Sequence, residues 1–171
     1  MSAFFQNDSR GRSHYVLRQE LSQSCGPACV AMSESFYKTQ CMIDPEARAR
    51  RLSQLYPGSF NPQTGTMAAN LSNVLNAEGV ATYAVTLVQH SKLFDYFSYY
   101  VGNRTPTIAH IGWANGGGGH FTVCRQVDSD GRIIFLDPWY GVVEVMRANL
   151  PNYNIAGAAG QLSGWLNITH R

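Results

Sequence analysis

The chain has 171 residues, of which 44% are hydrophobic and 12% aromatic, so it is long enough to bury one substantial core and too short for two ordinary domains. Its 13 Lys and Arg residues against 11 Asp and Glu residues leave a formal net charge of +2, which gives no reason to expect a nucleic-acid partner. No apolar run approaches the roughly 18–20 residues that cross a bilayer, and residues 1–12 lack the apolar stretch of a secretory signal. We therefore expect a soluble chain that inserts into no membrane.

The first half of the chain is predicted to be mainly helical. Residues 1–14 are mostly polar and predict a flexible N-terminal arm ahead of a single domain over residues 15–171. Ser24 can cap a helix from about Cys25 to Lys38, one face of which carries the apolar side chains Cys25, Cys29, Met32 and Phe36. Two further helices are predicted over residues 45–55 and 66–77.

The second half is predicted to be mainly β-structure. Strands or extended segments are expected over residues 80–88, 106–112, 121–127, 132–136, 142–145 and 162–168, and one helix over residues 91–101. The stretch Asp128-Ser129-Asp130-Gly131 is typical of a hairpin turn between two of these strands. Helices first and an antiparallel sheet second predict an α+β fold.

A candidate nucleophile stands at the start of the first predicted helix, in Gln19-Glu20-Leu21-Ser22-Gln23-Ser24-Cys25-Gly26-Pro27-Ala28. The positive end of a helix dipole favours a thiolate, which nucleophilic catalysis requires. Cys25 is therefore the candidate, although a lone cysteine is more often a small buried residue. Gln19, or the competing Gln23, is placed to stabilise an oxyanion together with the backbone N–H of Cys25.

A candidate base and its orienting group lie in the predicted hairpin. A two-residue turn would place Thr122 opposite Asp137, and His120 would then be a diagonal neighbour of Asp137 on the same face. A three-residue loop or a bulge would shift this pairing. Taken singly, His120 is typical of a strand edge and Asp137 of a turn. Together they supply a base and the carboxylate that orients it, and the glycines at 116–119 would let a substrate backbone approach closely.

These residues together resemble those of papain-like cysteine peptidases, and within that group the bacteriocin double-glycine leader peptidases and the papain-like effector proteases of plant-pathogenic bacteria. The resemblance rests on Gln19 with Cys25-Gly26-Pro27-Ala28 and on His120 ahead of Asp137-Pro138, and it covers about residues 17–145. It implies a papain-like fold, in which a helical lobe carrying Cys25 packs on an antiparallel sheet carrying His120 and Asp137. It also implies that Gln19 is the oxyanion donor.

The expected activity is hydrolysis of peptide bonds by the triad Cys25, His120 and Asp137 with Gln19 as oxyanion donor, in a bacterial effector or toxin or in a processing protease. The alternative is a glutamine deamidase or transferase that uses the same triad on side-chain amides, since acyl-enzyme chemistry does not decide which amide is attacked. A catalytically inactive binding module is a third hypothesis, against which the presence of all four residues argues.

The expected partner is a protein or peptide substrate, with an inhibitor or activator protein left open. The Asp-rich turn at 128–131 lacks the later ligands of a calcium loop, and the cysteines show no zinc-ribbon spacing. We therefore expect no metal ion and no cofactor. The expected location is the bacterial cytoplasm, or outside the cell by a route that needs no signal peptide.

Overall fold

The protein folds into two antiparallel sheets and four α-helices over the residues that the computed structural model describes, 2–38, 44–85, 87–102 and 105–170. The helices are α1 (Cys25–Tyr37), α2 (Pro45–Ser53), α3 (Leu71–Ala77) and α4 (Leu93–Gly102). The smaller sheet pairs β1 (Ser2–Asn7) with β2 (Ser13–Arg18). The larger sheet contains β3 (Ala81–Val85), β4 (Thr107–Trp113), β5 (Gly119–Val127), β6 (Arg132–Asp137), β7 (Gly141–Met146) and β8 (Gly160–His170). Its strand order is β3-β8-β4-β5-β6-β7, and neighbouring strands are antiparallel.

The larger sheet contributes residues to two hydrophobic clusters, one on each of its faces. In the first cluster, buried side chains of α1, α3 and β2 pack with sheet residues such as Phe121 and Val123. In the second, Leu93 and Phe97 of α4 pack with other sheet residues and with Tyr153, which is fully buried. Alternate residues of a strand point to opposite faces of the sheet, so one sheet supplies both clusters. The expectation of an α+β fold with an antiparallel sheet is confirmed.

Helix α1 is an interior helix. Every residue from Cys25 to Glu34 is buried, because small and apolar side chains surround the axis instead of forming one stripe. The start of the helix is also covered by a loop, since a Cβ on Gly26 would lie 2.6 Å from Oγ1 of Thr66. Only glycine allows this approach. The packing therefore holds the first turn of α1 against both the sheet and this loop.

The N-terminal segment differs from the prediction. We expected residues 1–14 to form a flexible arm, but β1 pairs with β2 from Ser2 opposite Arg18 to Asn7 opposite Ser13. The polar residues at the turn take part in an ionic network: Asp8 accepts Nε of Arg12 at 2.7 Å, and Arg12 also binds both carboxylate oxygens of Asp128 at 2.6 and 2.7 Å. These charges tie the hairpin to the β5–β6 turn, and they are the reason that a polar segment is structured.

The register between β5 and β6 determines whether Thr122 lies opposite Asp137, as the sequence analysis predicted. Near the turn, Val127 faces Ile133, which corresponds to a three-residue loop and not the two-residue turn that we expected. The register then shifts between Cys124 and Gln126, and beyond this bulge Val123 faces Leu136. The bulge offsets the extra loop residue, so the predicted alignment of the next pair, Thr122 and Asp137, is restored.

Element boundaries differ from the predictions by a few residues. The helix expected over residues 66–77 is a 3-10 turn at Ala68–Asn70 followed by α3, and the helix expected over 91–101 is a 3-10 turn at His90–Lys92 followed by α4. The strand expected over 80–88 is β3, and Thr86 lies outside the described residues. In the part of the chain that the structure describes, no helix is long and apolar enough to span a membrane.

Candidate active site

Cys25 is the first residue of α1 and is 8% exposed. The loop before it is held by its own hydrogen bonds and by α2: Oγ of Ser24 accepts the N–H of Leu21 at 3.0 Å, and Oε2 of Glu46 accepts the N–H of Glu20 at 2.9 Å. Ser24 is the N-cap residue of α1, as predicted, but its side chain bonds back to Leu21 and makes no cap hydrogen bond to the helix. The N-terminal N–H groups of the helix therefore remain free of this side chain.

His120, near the start of β5, and Asp137, the last residue of β6, meet at one end of these two adjacent strands. Nε2 of His120 lies 2.9 Å from Oδ1 of Asp137, and the two residues are only 2% and 0% exposed. Oδ1 of Asp137 also accepts the backbone N–H groups of Trp139 at 2.8 Å and Tyr140 at 3.0 Å. Because the turn after β6 supplies these donors, the carboxylate is held in one orientation toward the imidazole.

The neighbours of His120 raise its pKa. Burial alone would lower this pKa, but the hydrogen bond and charge of Asp137, together with the interaction with Cys25, raise it from 6.5 to about 9. With Nε2 engaged by Asp137, Nδ1 is the ring nitrogen that remains for the thiol. The arrangement favours an imidazolium next to a cysteine at neutral pH, as an activated thiol requires.

Tyr153 is a further contact of Asp137 that sequence reasoning missed. Its hydroxyl donates to Oδ2 of Asp137 at 2.9 Å and lies 3.3 Å from Oγ1 of Thr122. Burial and the charge of Asp137 raise the pKa of Tyr153 well above its usual value, so the group stays a neutral donor. Tyr153 lies between β7 and β8, outside any strand or helix, and no sequence pattern connects it with the hairpin.

Gln19 lies beside the turn that follows Asp137, because its backbone N–H donates to the carbonyl of Pro138 at 3.0 Å. Its side-chain Nε2 donates to the carbonyls of Leu21 at 2.8 Å and Ser22 at 2.9 Å, while Oε1 is buried without a hydrogen-bond partner. The amide donors of Gln19 are thus directed into the loop before Cys25 in this structure. The competing residue, Gln23, is exposed.

A cavity of about 280 Å³ opens next to the thiol. Its wall combines Cys25 and Gln23 with the glycines at 117–119 and with His110. The imidazole of His110 occupies the position that a Cβ of Gly119 would need, so this backbone can lie against the ring only because it is glycine. The cavity gives a ligand access to the side of the nucleophile.

The described residues contain no group of three or more His, Cys, Asp or Glu side chains arranged to hold a metal ion. Cys25, Cys29 and Cys124 are free cysteines, and Cys41 lies outside the described residues. The chemistry that this arrangement supports is attack by a thiol assisted by an imidazole.

A known protein family covers most of the chain. The model of the peptidase C39 family matches residues 13–153 of the chain. No curated protein matches the chain. The family match confirms the resemblance that the sequence analysis based on the cysteine and histidine motifs.

The fold is similar to solved peptidase structures. A double-glycine-motif protease from an AMS/PCAT transporter, crystallised with its leader peptide, is 17% identical, with a TM-score of 0.55 over 90% of this chain and 89% of the other. The peptidase domain of ComA from Streptococcus mutans is 18% identical, with a TM-score of 0.52 over 91% and 98%. The Pseudomonas avirulence protein AvrPphB is 13% identical, with a TM-score of 0.40 over 90% and 95%. At these identities, the first two show a shared fold.

Proposed function

The chain belongs to the peptidase C39 family and is a papain-like cysteine peptidase, and we propose that Cys25, His120 and Asp137 form its catalytic triad. The observation that carries this proposal is the buried His120–Asp137 contact of 2.9 Å, which together with Cys25 raises the pKa of His120 to about 9. Such a histidine stays protonated at neutral pH next to the thiol, which is the state of an activated cysteine nucleophile.

In the proposed reaction, the thiolate of Cys25 attacks the carbonyl carbon of a peptide bond and forms a tetrahedral oxyanion. His120 then gives its proton to the leaving amine as the C–N bond breaks, which leaves an acyl thioester on Cys25. A water molecule attacks the thioester after losing a proton to His120. The carboxylic acid product leaves and the thiolate–imidazolium pair returns. The chemistry needs no cofactor.

The oxyanion requires two hydrogen-bond donors. One is the backbone N–H of Cys25, which lies at the N-terminus of α1 and has no partner within the helix. We assign the second to Nε2 of Gln19, which must then exchange one of its two bonds to Leu21 and Ser22 for the oxyanion. Loss of one such donor costs about 100-fold or more in kcat, so Gln19→Ala is expected to lose this factor and Gln23→Ala is not.

The proposed substrate is a peptide or an extended segment of a protein, which the cavity next to Cys25 accommodates. A leader peptide is bound by the similar transporter protease, in agreement with this class of substrate. The roles of processing protease and of delivered effector or toxin differ in the source of the substrate and use the same chemistry. Identifying the cleaved proteins distinguishes them.

The experiment compares wild type, Cys25→Ala and Cys29→Ala after incubation with a complex protein extract. Mass spectrometry identifies new peptide termini and glutamines that have become glutamates. The proposal predicts new termini with wild type and Cys29→Ala and none with Cys25→Ala. Cys29→Ala is a matched control, because Cys29 lies one turn further along α1 and is fully buried. Glutamine conversion without new termini would establish the deamidase instead.

A further inference from the structure

Three neighbouring aromatic side chains, Trp113, Trp139 and Tyr140, form what we call the aromatic patch. The ring centroids of Trp139 and Tyr140 are 6.4 Å apart, and those of Trp113 and Tyr140 are 6.3 Å apart. Trp139 is 52% exposed and Tyr140 40% exposed. Clustered aromatic side chains of this exposure are uncommon on a monomeric protein and often mark a binding surface.

The patch surrounds the histidine of the site. Trp113 stacks on His120 with centroids 5.7 Å apart and an angle of 28° between the planes, and Trp139 lies 6.2 Å from the same ring. Beyond Trp113 a second cavity of about 540 Å³, which this tryptophan also lines, continues along the surface. Trp113 therefore borders both the His120 ring and a cavity that has room for further residues of a polypeptide.

The hydrogen bonds that Trp139 and Tyr140 donate to Asp137 do not explain why these two residues are aromatic. Trp139 and Tyr140 contact the carboxylate through their backbone N–H groups, which any residue except proline provides. Their rings lie on the surface and contact each other, so the core does not require them either. A ligand that covers the rings accounts for their type and exposure.

The proposed reaction indicates which part of the substrate, before or after the scissile bond, lies next to the aromatic patch. His120 protonates the leaving amine, so the residues that follow the scissile bond must lie next to the His120 ring. The acyl portion stays attached to Cys25 and has the separate cavity lined by Gln23 and the glycines at 117–119. From the stacking of this exposed patch around His120, we propose that Trp113, Trp139 and Tyr140 bind an aromatic or large aliphatic side chain within the first two residues after the scissile bond. This inference rests on the proposed peptidase function.

The test uses peptides derived from a site that wild type cleaves, with phenylalanine or alanine in the first and second positions after the cut. Wild type is expected to have a higher kcat/KM for the phenylalanine peptides. Tyr140→Ala and Trp139→Ala are expected to lower the phenylalanine-to-alanine ratio of kcat/KM by about 5- to 10-fold. The matched control is Tyr99→Ala, which removes a 66% exposed tyrosine of α4 and should leave the ratio unchanged.

The outcomes separate the two proposals. If cleavage depends on Cys25 but wild type shows no preference for phenylalanine, or if both variants keep the wild-type ratio, the patch has no role in recognition and the peptidase function stands. If no peptide or protein is cleaved in a manner that depends on Cys25, the proposed function fails and this inference fails with it. Thermal unfolding of each variant shows whether a lost preference reflects a lost fold, and the two independent variants allow one to be discarded.

Discussion

Oδ1 of Asp137 lies 2.9 Å from Nε2 of His120, and both side chains are almost completely buried. We predict that Asp137→Asn, which keeps the shape and removes the charge, lowers kcat/KM by about 100-fold. The effect should be smaller than that of Cys25→Ala, which removes the nucleophile. Kinetic measurements on a cleaved peptide check both values.

The same substitution should change the pH profile. In the proposed mechanism the imidazolium of His120 is the active form, so its pKa of about 9 should set the alkaline limit of activity. Without the carboxylate, burial lowers this pKa with less opposition, so the alkaline limb of kcat/KM must move to lower pH. Asp130→Asn is the control, because Asp130 is a partly exposed carboxylate of the β5–β6 turn. An alkaline limb that stays in place in Asp137→Asn would contradict the proposed pairing.

The predicted alignment of Thr122 with Asp137 agrees with the structure only because two unpredicted local irregularities offset each other. The turn holds one more residue than expected, and the shift between Cys124 and Gln126 restores the alignment. Neither feature has a clear signal in the sequence. The position of Cys25 was simpler to predict, since it depends only on where one helix begins.

The contacts that were missed join residues far apart in the chain. Arg12 binds Asp128, which lies 116 positions further along the chain. This contact orders the N-terminal hairpin although the sequence of its turn is polar. Tyr153 reaches Asp137 from an irregular segment, where neither helical nor strand periodicity applies. Such contacts depend on how the elements pack, which hydrophobic periodicity does not describe.

Cys25 should be alkylated faster than Cys29 and Cys124 near neutral pH. Burial raises the pKa of Cys29 and of Cys124 well above the usual value, so neither forms a thiolate readily. A time course of iodoacetamide labelling, read by peptide mass spectrometry, measures the relative rates, with Cys41 followed as well. His120→Ala should remove most of the advantage of Cys25. Equal labelling of Cys25, Cys29 and Cys124 in wild type would argue against an activated thiol.

Tyr153→Phe tests the second hydrogen bond to the orienting carboxylate. The substitution removes the donor 2.9 Å from Oδ2 of Asp137 and preserves the packing of the ring. A net contribution of about 1 kcal/mol corresponds to a roughly 5-fold lower kcat. Tyr37→Phe is the matched control, because it also removes a tyrosine hydroxyl that contacts a threonine, here Oγ1 of Thr169 at 2.6 Å. If both variants keep the wild-type kcat, Tyr153 has only a structural role.

A pH dependence of stability should arise from Glu34 of α1, which is fully buried near Glu78. Burial and the hydrogen bond with Glu78 raise the pKa of Glu34 from 4.5 to about 7, and this shift outweighs the effect of Lys38. Between these pH values the folded state keeps a proton that the unfolded state releases. The free energy of unfolding must therefore fall as the pH rises through this range.

Glu34→Gln is neutral at every pH and should remove this part of the slope. The comparison is best made between pH 4.5 and 6.5, because above 6.5 the raised pKa of His120 makes the folded state lose stability with rising pH in the same direction. Over this range the Tm of wild type should fall relative to that of Glu34→Gln by about 3–5 °C. Glu144→Gln is the control, since Ser9 and Arg132 lower the pKa of Glu144 against its burial and its stabilising charge is lost only in more acidic solution. Parallel Tm curves for wild type and Glu34→Gln would show that folding does not raise the pKa of Glu34, so that Lys38 offsets the effect of its burial.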